Sequence, residues 1–111
     1  MLVKGKIVLI PFPFTDLTTS KLRPTLILLE RRKDVVGVFI SSRVPEEPSQ
    51  TEVVVEEDHP EFRQTGLKKS SVIRLDKVAT ISKDLLVGEI GEVGPSLKKT
   101  INERLRELYS L

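Results

Sequence analysis

Arg23 is the first residue whose type and setting suit it to chemistry: it closes a polar stretch and is followed by Pro24 and the apolar run TLILL. A guanidinium is planar and permanently charged, and its fork of donors can grip two oxygens of one phosphate. The proline confines the Arg23 backbone to extended geometry, which fixes the direction in which the side chain leaves. An ion pair tying the preceding loop to its surroundings would also account for an arginine here. Arg74 and Asp76, in VIRLD, form a second candidate set. Two residues apart on a strand, they would share a face. There they could act on one group or simply pair on a solvated surface. Lys21, Arg43, Lys68 and Lys69 stand in or beside expected loops, where they either follow an anionic backbone or are ordinary solvated cations. Ser41 and Ser42 close the run VVGVFI, and a strand end alone would explain them. His59, in EEDHPEF, reads as an exposed loop histidine outside any site, and Phe12 and Phe14 as packing or as a stacking surface.

Composition narrows the classes of function. The chain has 111 residues, 39% hydrophobic and 31% charged, which suits one folded domain over residues 1–111 rather than a disordered segment. Its formal charge of +2 is too small to demand a polyanionic partner, so such an argument must rest on where charges cluster. No cysteine and a single histidine argue against disulfides, thiolate chemistry and a transition-metal site, so no cofactor is expected. The N-terminal run MLVKGKIVLIPF is broken by Lys4 and Lys6 and lacks a cleavage site, and nothing approaches a membrane span. A cytoplasmic protein with no membrane partner is expected.

The elements that must position these residues follow from periodicity. Strands are predicted over residues 7–12, 24–30, 35–42, 51–57 and 70–81, each β-branched or apolar and bounded by turn residues. In the last of them Val72, Arg74 and Asp76 should face one way and Ile73 and Leu75 the other. Residues 13–22 form a loop, long for this connection, that is expected to be mobile and to order over a groove when a partner arrives. A helix over residues 82–91 is predicted, with Ser82 as its N-cap and Leu85, Leu86 and Ile90 on one face. A second begins at Gly94-Pro95 and carries Leu97, Ile101, Leu105 and Leu108 at helical spacing. Short strands followed by an amphipathic helix predict an α+β fold, a small SH3-like antiparallel β-barrel with a C-terminal helix.

The segments KGKIVLIPF, SKLRPTLILL, VFISSRV and GLKKSSVIRLDKVATISKDLLVGEIGEV, in this order over nearly the whole chain, resemble the MazF/PemK family of toxin endoribonucleases. The most specific feature is Ser-x-x-Arg-Pro before an apolar strand, paired with a later Gly-Leu-x-x-x-Ser-Val block. The resemblance implies a metal-independent, sequence-specific endoribonuclease, the toxin half of a toxin-antitoxin pair. It would be a homodimer cutting single-stranded RNA, often mRNA, and blocked by a cognate antitoxin. In such cleavage the 2′-hydroxyl attacks its own phosphate, so the protein supplies a base, an acid and charge for the phosphorane. By resemblance Arg23 would clamp the phosphate and could also protonate the leaving group, Ser41 would donate to a non-bridging oxygen, and Arg74 and Asp76 match the acid and base of one branch of the family. Ser20, Lys21, Ser42, Arg43, Lys68 and Lys69 would hold the RNA. One branch also has a histidine in the first long loop, which here reads TDLTTSKL. The rival is a non-catalytic module of the same fold that seizes a protein target such as a DNA topoisomerase. Convergence of Arg23, Ser41, Arg74 and Asp76 on one groove would separate the two.

Overall fold

In the computed structural model, which describes residues 3–11 and 21–111, one curled sheet of six antiparallel strands dominates. The strands are β1 (Lys6–Pro11), β2 (Leu22–Glu30), β3 (Asp34–Ser41), β4 (Glu52–Val55), β5 (Ser71–Ser82) and β6 (Gly88–Glu92), in the spatial order β4-β5-β3-β2-β1-β6. A four-residue helix α1 (Phe62–Thr65) precedes β5, and α2 (Pro95–Tyr109) closes the chain.

The sheet is apolar on both sides, which explains why β2 and β3 read as continuous rather than alternating hydrophobic runs. Leu26, Val38, Ile40, Val53, Val55, Ile73 and Leu75 pack with Leu97 and Ile101 of α2 in the main core. On the opposite side Val8, Ile10, Ile27, Val35 and Ile81 form a second, smaller cluster. Complete burial of an Ile or Leu side chain is worth about 1.5–3 kcal/mol. Leu105 and Leu108 extend the contact of α2 with the main core. Gly37 lies between the two layers, where an added Cβ would come within 2.6 Å of Thr25 Cγ2.

Four details depart from the sequence-based expectations. Ser82 does cap, its hydroxyl accepting from the Asp84 amide, but only a single 3-10 turn (Lys83–Leu85) follows. Gly88–Glu92 then pairs with β1 as β6, because the backbone groups of β1 gain more from a strand partner than Leu86 and Ile90 gain from a common helix face. Val72 keeps the face it shares with Arg74, opposite Ile73, but it is as completely buried as Ile73, so that face is not the solvent face the alternation suggested. Pro24 is the third residue of β2, tolerated opposite Leu9 because pairing with β3 begins only at Thr25. The register between β3 and β5 also shifts: Val38 pairs with Val78 but Phe39 with Arg74, so Leu75, Asp76 and Lys77 bulge out of the ladder. The bulge is held at Leu75, whose N–H donates to the Thr51 carbonyl at 2.7 Å and whose carbonyl accepts from the Tyr109 hydroxyl.

Helix α2 has Gly94 at its N-cap and so lacks a capping side chain of its own. The Glu61 carboxylate supplies the cap from just before α1, accepting from the Ser96 and Leu97 amides at 2.8 Å each. Burial alone would push the Glu61 carboxyl up, but these two backbone donors more than offset it and hold it below the usual glutamate range.

Candidate active site

The ends of β2 and β3 and the connection from α1 to β5 enclose a cavity of about 370 Å³. Arg23, Ser41, Ser42, Arg43, Lys68 and Lys69 line it, over an apolar floor that includes Leu9, Ile40, Leu67 and Ile90. Among the described residues, four cations and no carboxylate line this space. A low-dielectric floor beneath unopposed positive charge favours an anion over water.

Strand geometry places the first two residues. Arg23 lies two residues before Thr25 and Ser41 two residues after Phe39, and Thr25 pairs with Phe39, so Arg23 and Ser41 project from the same sheet face. The Arg23 guanidinium carbon stands 5.7 Å from the centre of the Phe39 ring. Thr25, fully buried, donates its hydroxyl to the Arg23 carbonyl at 3.3 Å and steadies the backbone there. The Ser41 hydroxyl accepts from the Arg43 amide at 3.1 Å, which turns the chain at the end of β3 and leaves the hydroxyl proton to donate.

Lys68 and Lys69 reach the cavity because Gly66 ends α1 in the left-handed region, at φ 75°. A Cβ at Gly66 would meet the Ile90 carbonyl oxygen at 2.0 Å, so both the turn and the close approach to β6 demand glycine. The buried Ser71 hydroxyl donates to the Lys69 carbonyl at 2.8 Å and secures the other end of this segment.

Arg74 and Asp76 do not line the cavity. Arg74 is on the same face, across Phe39 from β2, and pairs in register with both Phe39 and Glu52. Its Nε is buried and makes no hydrogen bond among the described residues. The Ser49 amide and hydroxyl chiefly hold the Glu52 carboxyl below the ordinary range, and the nearby Arg74 charge adds to this. Asp76 sits exposed in the bulge, where the two-residue period of the ladder is broken, and among the described residues it makes no ion pair with Arg74. Lys21 is exposed ahead of β2 and outside the lining, and Ser20, Phe12, Phe14 and most of the 13–22 loop lie outside the described residues. His59, half-buried, accepts from the Glu61 amide at 3.0 Å. The apolar floor, and the Phe39 ring beside Arg23, escaped sequence reasoning, because nothing in an apolar run distinguishes residues at or near a cavity from core. Among the described residues no group of three or more His, Cys, Asp or Glu side chains could hold a metal ion.

A family model described as PemK-like, MazF-like toxin of type II toxin-antitoxin system matches residues 3–109. Among curated proteins there is no match. Solved structures superpose over almost the full length. An endoribonuclease in complex with its cognate antitoxin, from a mycobacterial species, is 22% identical with a TM-score of 0.72, covering 100% of this chain and 97% of that one. The Mycobacterium tuberculosis toxin MazF-mt6 is 24% identical with a TM-score of 0.72, covering 96% and 97%. A further mycobacterial endoribonuclease is 23% identical with a TM-score of 0.69, covering 99% and 92%. At these identities the likeness is one of fold.

Proposed function

Since the chain belongs to the PemK-like, MazF-like toxin family of type II toxin-antitoxin systems, we propose that it is an endoribonuclease whose active site is the cationic cavity at the ends of β2 and β3. The observation that carries this reading is the meeting of Arg23, Ser41, Arg43, Lys68 and Lys69 around one space with no carboxylate lining it among the described residues. The substrate in this reading is single-stranded RNA in the cytoplasm. The functional unit is a homodimer held inactive by a cognate antitoxin, and cutting is sequence-specific and independent of a metal ion.

The chemistry follows from the substrate. The ribose 2′-oxygen attacks the adjacent phosphorus as its proton is removed, the bond to the 5′-oxygen breaks, and that oxygen takes up a proton as it leaves. The products are a 2′,3′-cyclic phosphate and a free 5′-hydroxyl. Negative charge builds on the two non-bridging oxygens at the pentavalent stage, and this is where fixed donors count most. The Arg23 fork accepts that charge, the Ser41 hydroxyl donates to one of the oxygens, and Arg43, Lys68 and Lys69 hold the flanking phosphates. The apolar floor offers a surface for an unstacked base. Arg74 and Asp76 keep the acid and base roles that the resemblance gives them.

The test is to incubate the purified protein with mixed-sequence RNA in EDTA and to map fragment ends beside the Arg23→Ala variant. Discrete cuts with 2′,3′-cyclic or 3′-phosphate ends are expected from the parent. The variant should lose ~2–4 kcal/mol of transition-state stabilisation and keep its melting temperature. A second reading draws on the position of Arg74 and Asp76 outside the cavity: a non-catalytic toxin-fold module that grips a protein target such as a DNA topoisomerase. Intact RNA across varied sequences would turn the assignment to that module.

A further inference from the structure

We infer that Phe39 is a positioning residue that holds the Arg23 guanidinium over the cavity by its ring face, an inference that rests on the endoribonuclease reading for its catalytic consequence. The guanidinium carbon is 5.7 Å from the ring centre, within the range of a cation held by an aromatic face. The ring itself is well placed to stay still. It is only 7% exposed, it sits on the central strand β3, and its register neighbours are Thr25 on β2 and Arg74 on β5.

The alternative way to orient an arginine is a carboxylate, and among the described residues every ion pair lies elsewhere: Lys6 with Glu89 and Glu92, Arg31 with Asp34, and Lys83 with Glu30. The difference matters for phosphate chemistry. A carboxylate would fix the side chain but would occupy its donors and cancel its charge. A ring face attracts the cation through its quadrupole without cancelling its charge, so N–H donors not turned toward the ring stay available for phosphate oxygens. Phe39 therefore orients Arg23 without competing with the substrate. The strand that carries this ring also runs between the strands of Arg23 and Arg74.

Two substitutions separate this role from packing. Phe39→Leu keeps a buried apolar side chain and removes the ring, while Phe39→Tyr keeps the ring. The expected result is a fall of about tenfold in RNA cleavage for Phe39→Leu, mainly in kcat, with Phe39→Tyr recovering most of the parent rate. A readout that needs no activity is the Arg23 Nε–H resonance in a 15N-resolved spectrum, assigned by its disappearance in Arg23→Lys. The ring-current shift of this resonance should persist in Phe39→Tyr and vanish in Phe39→Leu. An unmoved resonance in Phe39→Leu, or Phe39→Tyr falling as far as Phe39→Leu in cleavage, overturns the inference. A parent that cuts no RNA overturns the endoribonuclease reading and the catalytic half of this one, while the resonance still decides whether the ring holds the arginine.

Discussion

Arg23 and Asp76 illustrate how two charged residues, both conspicuous in sequence, part company once their backbone is known. Arg23 leaves β2 where the neighbouring strands end, half-buried, with cations around it and a ring at its back. Asp76 leaves a bulge and is exposed. A general base must reach the 2′-hydroxyl directly or through one water, and typically contributes 10² to 10⁴ in rate. Asp76→Asn removes the charge with almost no change of shape, so it tests the role cleanly. If Asp76 is the base, cleavage should fall by at least about two orders of magnitude with an unchanged melting temperature. Cleavage at the parent rate in a single-turnover assay would take Asp76 out of the mechanism.

At the scale of elements, the cap on α2 makes stability depend on pH. The Glu61 carboxyl is lower in the folded chain than its unfolded value of about 4.3, so its contribution is complete above that pH and is lost as pH falls through the folded value. Glu30, held down first by the Val3 amide and then by Lys83, and Glu92, held down by Lys6, add to the same acid limb. Replacing Glu61 by Gln should therefore lower the melting temperature near neutral pH and bring parent and variant together as pH drops below about 4. A difference between the two melts that stays constant from pH 7 to pH 3 would rule out the charged cap. The elements also mark the limit of what the sequence disclosed. Five strands and α2 were legible because each is a run of apolar or periodic residues longer than the turns that bound it. Helix α1 was not, because four residues, FRQT, carry no period at all. Leu86, just before β6, and Ile90 within it are four residues apart and mimic a helix face, and only pairing with β1 decides the matter. The β5 bulge is a property of two strands together and leaves no mark on either one alone. Arg23 stood out in the sequence as a site candidate through its type, its proline and the family resemblance, whereas Phe39 looked like any other member of VVGVFIS.

For the whole molecule, a formal charge of +2 conceals a local imbalance, since Arg23, Arg43, Lys68 and Lys69 gather at one cavity that no carboxylate lines among the described residues. Binding of a single strand should then release counterions, with log affinity falling by about 0.7 for each tenfold rise in salt per phosphate neutralised. Changing Lys68 and Lys69 together to Gln should flatten that slope by about 1.4 for an uncleavable 2′-O-methyl RNA, measured from 50 to 300 mM salt in about six steps. A slope unchanged by the double substitution would remove both lysines from the RNA path. The tight seat of Gly66 against the Ile90 carbonyl has a consequence for genetics. Under the endoribonuclease reading, a screen that collects inactive clones should return position 66 beside position 23. One clone has lost the grip on an anion, and the other can no longer make a corner of its own chain. Survival scores them alike, and only a melting curve on each purified clone tells the two kinds of loss apart.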